Sequence, residues 1–407
     1  MKTKLSVWVL VMVFLMTATT LVAQHGPKPM RGRVFVPDSS RELPEDLNVR
    51  AHTNHEIHVR PEATGTAPAG ETPQSIRDVA VYNLPAVGGT GVIAIVDAYD
   101  YPTAANDFDV FSRQFGLPLS SDRICNGRNP CFQKVYASGK KPKANCGWAQ
   151  EAALDIEWAH AMAPYAQIVL VEAASNSFSD LMKAVDVATN IVRGGGVNGG
   201  IAAGQVSMSW GGSEFSSESS YDSHLRGNGV VYFAASGDVG GKTIYPGTSP
   251  TVVSAGGTTI NRDNNGVFIS ETGWNGSGGG PSRYEPRPAY QNGIVTIVGS
   301  KRGTPDFSFD ADPDSGVSVY DSTACQGSSG WMVFGGTSVS APSLAGIVNL
   351  ASHFYSSTNI ELSTIYSNRT NASSFRDITS GSAGSYSAKP GWDFVTGVGS
   401  NQGLVGK

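Results

Sequence analysis

Charged side chains are scarce in this sequence. The 29 Lys and Arg and 34 Asp and Glu make up 15% of 407 residues, against roughly a quarter in an average protein. The net charge of −5 comes with no basic stripe, so nothing favours nucleic acid or an anionic membrane as partner. No phosphate-cradling P-loop occurs, and no dinucleotide-type glycine fingerprint stands between a strand and a helix. The four cysteines include no Cys-x-x-Cys pair, which speaks against a zinc site. A Gly-x-Ser-x-Gly elbow is missing, which speaks against a lipase or esterase. Long apolar runs are missing too, apart from Leu5 to Met16 near the start. What the chain does have is 49 glycines, many Ser and Thr, and 40% hydrophobic residues. That composition suits a sizeable core with tight turns and small-residue packing.

The apolar run follows Lys2 and Lys4 and is short for a membrane span. We read residues 1–23 as a secretory signal cut after Ala23, with a retained anchor as the alternative. The protein is then expected to be secreted, extracellular or periplasmic, and off the membrane once the signal is gone. Cysteines fit that compartment. Cys125 and Cys131 bracket a turn-rich loop and would make a short disulfide, and Cys146 and Cys325 could form a second. Four cysteines allow three pairings, and spacing does not choose. Residues 24–74 are polar and aperiodic, and read as an irregular extension or short pro-region. His52, His55 and His58 fall there as solvated linker residues, with a metal tract as the alternative.

From about Thr72 the pattern changes. Gly91–Val96 is an apolar run ending in Asp97 and reads as a buried parallel strand. Helix-like stretches over 103–115, 150–162 and 179–192 alternate with strand-like ones over 167–172, 205–209, 229–235 and 251–255. Ser177 is a candidate cap before the third helix. Residues 260–330 and 377–399 read as loop-rich. The alternation predicts an α/β domain over 75–407, doubly wound, with a mostly parallel central sheet and helices on both faces. Sites in such sheets lie beyond the carboxyl ends of the strands, where Asp97, Trp210 and Asp238 sit.

The stretch Gly335-Gly-Thr-Ser-Val-Ser-Ala-Pro342 leads into a helix-period run of small and apolar residues. Ser338 is thus placed at a glycine turn entering a buried helix. Free N–H groups and the positive dipole end of that helix would stabilise an oxyanion beside a nucleophile. Pro342 is expected near the first turn, where a missing N–H costs little. The string resembles the nucleophile segment of the subtilisin-like clan of serine peptidases.

A serine hydroxyl needs a base. None of the seven histidines lies in the His-Gly-x-His context of subtilisin-type enzymes, so a carboxylate is considered instead. Plotted at 100° per residue, 147–164 puts Glu151 and Asp155 on an apolar face with Trp148, Ala152 and Trp158. Two like charges at i, i+4 repel, and burying them costs more. A surface pair on a helix with its other face buried is the alternative. Glu157 and His160 lie off that face and read as surface residues.

Glu151-Ala-Ala-Leu-Asp155, Ser236-Gly-Asp238 and Gly335-Gly-Thr-Ser338 together resemble the sedolisin family of serine-carboxyl peptidases, the kumamolisin-like enzymes included. Ser207-Met-Ser-Trp-Gly211 and Glu271-Thr-Gly-Trp-Asn275 agree. The resemblance runs from about residue 75 to the end and implies a subtilisin-like fold. It implies that Ser338 is the nucleophile, Glu151 its general base and Asp155 the group holding Glu151. Asp238 would be a neutral oxyanion donor beside the Ser338 N–H. Trp210 is implied as a cleft residue, with core packing as the alternative. A neutral acid donor points to acidic pH. Asp377-Ile378 and Gly391-Trp-Asp393 match the family's calcium loop. One structural Ca2+ is implied, held by the Asp377 and Asp393 carboxylates and the carbonyls of Ile378, Lys389 and Gly391, although the family often has Gly where Lys389 stands.

Family members commonly carry a long folded pro-segment. The roughly 50 residues here are too few for one, so the alternatives are an enzyme that folds without a pro-segment and a short extension that acts as a reduced one, with autocleavage near 60–75. The resulting reading is a secreted acid endopeptidase acting on proteins or peptides, with no nucleic-acid partner and a monomeric state. Its alternatives are a catalytically silent binding protein on the same fold, and tripeptidyl-peptidase action.

Overall fold

Alternate side chains of the strand Val92–Ala98 enter two different cores. Ile93 and Ile95 pack with Ala152, Trp158, Leu344 and Ile347, while Val92, Ala94 and Val96 pack with Phe178, Leu181 and Val185. A strand buried on both faces carries apolar residues at every position rather than every second one, which is why Gly-Val-Ile-Ala-Ile-Val shows no alternation. The computed structural model describes residues 26–28, 32–59 and 64–407. The signal expected at 1–23, with its cut after Ala23, lies outside the described residues.

The central sheet has ten strands. Across it run Phe375–Arg376, Ser400–Asn401, Phe307–Asp310, Val253–Arg262, Val230–Ala235, Gly204–Met208, Val92–Ala98, Gln167–Ala173 and Phe132–Tyr136, with Phe268–Gly273 paired to Val253–Arg262. Seven of the pairings are parallel; the Phe268–Gly273 and Phe375–Arg376 pairings are antiparallel. One face carries the helix Cys146–Met162, which holds both carboxylates, and the helix Thr337–Ala351, which opens on the serine. The helix Phe178–Arg193 covers the other face. This is the mostly parallel, doubly wound α/β architecture that the alternation predicts.

Local chemistry sets the helix starts. Ser177 caps Phe178–Arg193 by accepting from the Asp180 N–H. Asn145 caps Cys146–Met162 by accepting from the Trp148 N–H, so that helix begins four residues before the expected Gln150. Thr72 and Ser75 form a capping box at Pro73–Arg77. Cys146 at the helix start is bridged to Cys325, 179 residues on, and Cys125 to Cys131.

Three expectations need correcting. Residues 260–330 are not loop-rich. They hold Phe268–Gly273, Gly280–Pro286, Lys301–Thr304, Phe307–Asp310 and Val317–Cys325, short strands whose partners lie far along the chain or across hairpins. The described part of 24–74 is not irregular throughout. It contains Arg33–Phe35, His52–Thr53, Glu56–Val59 and Thr64–Gly65. His52–Thr53 pairs antiparallel with Trp210–Gly211, and Glu56–Val59 lies between Arg33–Phe35 and the Phe334–Gly335 end of another strand. Elements of two to four residues leave no period to read. In consequence His55 and His58 are buried rather than solvated. A metal tract does not form either, since no cluster of three His, Cys, Asp or Glu poised for an ion is found among the described residues.

Candidate active site

The serine helix begins with a glycine in a conformation other residues avoid. Gly336 has φ +94°, and a Cβ there would lie 2.2 Å from the Asn54 carbonyl oxygen and 2.6 Å from Asp238 Oδ2. Thr337 and Ser338 then open the helix. Pro342 stands at its sixth residue rather than in its first turn. Its missing N–H would have bonded the Ser338 carbonyl, and that oxygen instead accepts from Ser209 Oγ at 3.4 Å. The Ser338 hydroxyl donates to the Ser209 carbonyl at 3.1 Å. Ser209 follows the strand Gly204–Met208, so the nucleophile candidate sits at a strand's carboxyl end.

The carboxylate helix has no solvent face. Every residue from Gly147 to Met162 is buried, because the helix lies between the sheet, the serine helix and the strand Val317–Cys325. Glu157 and His160 are therefore not surface residues. Glu157 accepts from the Tyr320 N–H, and His160 bonds the Pro118 carbonyl and packs on Phe108. Burial pushes the His160 imidazole down to about 3.

Glu151 and Asp155 sit one turn apart, both fully shielded. Glu151 Oε2 accepts from His55 Nδ1 at 2.7 Å, and Asp155 Oδ1 from Ser209 Oγ at 2.8 Å. Glu151 Oε1 and Asp155 Oδ2 have no hydrogen-bond partner, and neither oxygen of Asp97 has one. Burial, and then the charges of Asp97 and Glu151, holds the Asp155 carboxyl well above the ordinary range. Burial, Glu151 and Glu172 do the same to Asp97. Asp97 and Asp155 thus crowd one buried place beside Glu151, and a proton on either of the two aspartates relieves the other.

Asp238 follows the strand Val230–Ala235. Its Oδ1 accepts from the Thr337 N–H at 2.8 Å and the Thr337 hydroxyl at 2.7 Å, while Oδ2 is enclosed and has no partner. Burial, then the Glu56 charge, raises its carboxyl far above the usual value against the lowering effect of Thr337. A carboxyl held neutral in this way can donate from Oδ2.

The extension runs through this site. The Ser338 N–H donates to the Asn54 carbonyl at 2.9 Å, and the Asn54 N–H donates to the Ser209 carbonyl and to Ser338 Oγ, each at 3.2 Å. Of these neighbours, Asn54 carried no sequence signal and His55 was read as a linker histidine; Ser209 and Thr337 lay in the quoted stretches 207–211 and 335–338 without a role of their own, and Asp97 stood out as a carboxylate ending a buried strand. Trp210 presents its main chain to the extension by pairing with Thr53. Its indole is packed in the core, donating to the Val96 carbonyl at 2.7 Å and meeting Phe178 edge-on.

At the far end of the sheet Asp377 and Asp393 are brought together with the 389–391 loop. Both Asp377 oxygens face the Gly391 N–H, Asp393 Oδ2 accepts from the Lys389 N–H, and Asp393 Oδ1 is taken up by Val395 and Thr396. Asp377 and Asp393 Oδ2 keep lone pairs free. Carboxylate oxygens are the donor type a hard cation takes.

No protein-family model matches the chain. Among curated proteins it is similar to sedolisin from Pseudomonas sp. (strain 101), 33% identical over 172 residues, 38% of this chain and 28% of the relative. It is also similar to kumamolisin from Bacillus sp. (strain MN-32), 32% identical over 289 residues, 62% of this chain and 49% of the relative. The chain thus spans about half the length of kumamolisin and less of sedolisin. Pseudomonas sedolisin, a serine-carboxyl proteinase solved with two molecules of pseudo-iodotyrostatin, shares the fold at TM-score 0.66 and 23% identity, over 83% of this chain and 96% of that one. The S41 psychrophilic protease does so at 0.52 and 19%, over 83% and 99%.

Proposed function

Taking the chain as a kumamolisin-like member of the sedolisin family, we propose that it is a serine-carboxyl endopeptidase that hydrolyses protein or peptide bonds at acidic pH. The observation that carries this reading is a carbonyl, that of Asn54, seated on the Ser338 N–H with the enclosed Asp238 Oδ2 across Gly336 from it. In this reading a substrate carbonyl takes that place. Ser338 Oγ attacks its carbon, and Glu151 takes the hydroxyl proton once His55 has left its carboxyl. The growing oxyanion is held by the Ser338 N–H and a proton on Asp238 Oδ2. Glu151 then gives the proton to the leaving amine. Asp155, anchored by Ser209, fixes Glu151 and shares the cluster's proton with it. Asp238 can donate only while it holds its proton, so activity is expected to fall as pH rises through its raised value.

Two disulfides support export to an oxidising compartment, and no described helix is long and apolar enough to cross a membrane. We propose secretion, a monomer, and one Ca2+ held by Asp377, Asp393 and the carbonyls of Ile378, Lys389 and Gly391. Bound there, the ion would supply structural cross-linking of the C-terminal loops.

The test is a pH series of casein hydrolysis by wild type, Ser338→Ala and Glu151→Gln. Activity confined to acidic buffer, with losses of about a thousandfold or more in both variants, is expected. An alkaline optimum, or unchanged hydrolysis by Ser338→Ala, rules the reading out.

A further inference from the structure

A second group of buried acids lies apart from the carboxylate helix, and the proposed reaction uses none of them. Glu214, Glu218, Asp222 and Glu285 are each at most 7% exposed. Glu214 follows the strand Trp210–Ser213, Glu218 and Asp222 stand on the 3-10 helix Glu218–Leu225, and Glu285 belongs to the strand Gly280–Pro286. Glu214 ties separate pieces of chain together. Its Oε2 accepts from the Thr243 hydroxyl at 2.6 Å and its Oε1 from the Ser282 hydroxyl, and the Arg283 N–H faces both oxygens at 3.1 and 3.2 Å. Three donors suit a carboxylate. The Glu218 carboxyl is also hydrogen-bonded to it. Two carboxyl groups can bond each other only when one carries a proton. Glu218 is the carrier: burial pushes it up to about 9, against the Phe215 N–H and with the charges of Glu214 and Glu285 adding to the rise.

The surroundings answer that proton in few places. Glu218 Oε2 accepts from the Phe215 N–H at 2.7 Å, and the Thr248 hydroxyl stands 3.4 Å from Oε1. Asp222 accepts from the Ser249 hydroxyl at 2.7 Å and the Tyr245 hydroxyl at 3.2 Å, with Arg226 at 3.8 Å. Glu285 Oε1 has no partner. Burial, then Asp222 and Glu214, pushes Glu285 up to about 7, while Arg226 and Lys301 pull it back. The strand that Glu214 anchors is a wall of the cleft. Its Gly212 and Ser213 pair with Tyr245 and Ile244 on one edge, and its Trp210 and Gly211 pair with Thr53 and His52 on the other. Ser213, Thr243 and Ile244 line, with Gly237 and Asp238, a cavity of about 450 Å3. A peptide whose carbonyl takes the place of the Asn54 carbonyl brings its preceding residues to the edge where His52 and Thr53 pair.

We propose that Glu218 is a positioning residue: the proton it shares with Glu214 latches the strand Trp210–Ser213 and the segment 243–245 in the shape that pairs with substrate, and the latch opens when that proton leaves. The inference rests on the peptidase reading above. Loss of the proton replaces a hydrogen bond by two like charges in one buried place. The repulsion falls on Glu214 and passes to Thr243, Ser282 and Arg283, the groups that fix it. Charges on Asp222 and Glu285 push in the same sense.

The experiment compares full-length wild type and Glu218→Gln between about pH 5 and about pH 9. The Gln amide offers Glu214 an N–H at every pH and does not titrate. Hydrogen exchange is followed at 210–213 and 243–245, corrected for the intrinsic pH dependence of exchange and measured against the core strand Gln167–Ala173. KM and kcat for casein peptides are measured beside it. In wild type the relative protection of the wall should fall about tenfold or more across that range, and KM should rise with it. In Glu218→Gln, protection and KM should stay within about threefold, while kcat falls with pH as in wild type because Asp238 still titrates. Level protection of the wild-type wall, or a variant that loosens in step with wild type, overturns the inference and leaves the peptidase reading standing. The expected loosening in a protein that hydrolyses nothing overturns the peptidase reading and keeps the latch. The wild-type exchange profile decides the matter even should Glu218→Gln fail to fold.

Discussion

His55 Nδ1 lies 2.7 Å from Glu151 Oε2, and neither side chain is reached by solvent. Enclosing an imidazole and a carboxylate together is tolerable only because each answers the other; removing either leaves an uncompensated polar group. The contact joins residues 96 positions apart and holds the implied general base in a hydrogen bond with the extension. A second consequence is crowding of acids. Asp97, Asp155 and Asp238 each feel the charge of Glu151, and all have carboxyls raised first by burial.

Stability should therefore be greatest in acid and fall toward neutral pH. Asp97, Asp155, Asp238, Glu157 and Asp310 are held well above their ordinary values by burial, and Glu172 and Asp321 are pushed up to about 7. Above about pH 4 the unfolded chain has lost these protons while the folded one keeps them. The folded state then binds more protons, and unfolding becomes easier as pH rises through the raised values. Thermal melts from about pH 4 to about pH 8 should show a falling midpoint. A midpoint that stays level or climbs would contradict the burial argument.

Gly336→Ala should separate folding from chemistry. A methyl group would fill the place where the Asn54 carbonyl and Asp238 Oδ2 meet, and φ +94° strains any side chain. We expect a stability loss of about 1–3 kcal/mol and a fall in kcat/KM of at least about a hundredfold. Melting curves and peptide kinetics measure the two. Activity within about threefold of wild type would mean that a substrate carbonyl does not sit there.

Chelation should loosen the C-terminal loops. With free calcium about a hundredfold above its dissociation constant, a bound ion contributes about 2.7 kcal/mol. EDTA should then lower the melting midpoint by several degrees, and Asp393→Asn should abolish both the calcium response and the EDTA effect. A midpoint indifferent to calcium in wild type would leave Asp377 and Asp393 as loop carboxylates held by backbone N–H groups.

Much of this architecture was legible because it is local. Ser177 before its helix, the unbroken apolar run at Val92–Val96 and the glycine turn before Ser338 each carry their own signal. The buried helix was legible only in part. Reading one face at 100° per residue assumes that the opposite face meets water, and Cys146–Met162 has none, so Glu157 and His160 were misplaced. The extension was illegible for a different reason. His52–Thr53 and Glu56–Val59 are ordered by Trp210–Gly211 and Phe334–Gly335, more than 150 residues away, and two-residue pairings leave no trace in composition. His55 looked like one of three linker histidines because its partner, Glu151, belongs to another part of the chain.

The strand Glu56–Val59 is hydrogen-bonded along both edges, to Arg33–Phe35 and to Phe334–Gly335. A segment clamped like a slat between two rails can leave only when both ladders let go, so its departure should follow the fraying of the sheet edge and not the titration of any one acid.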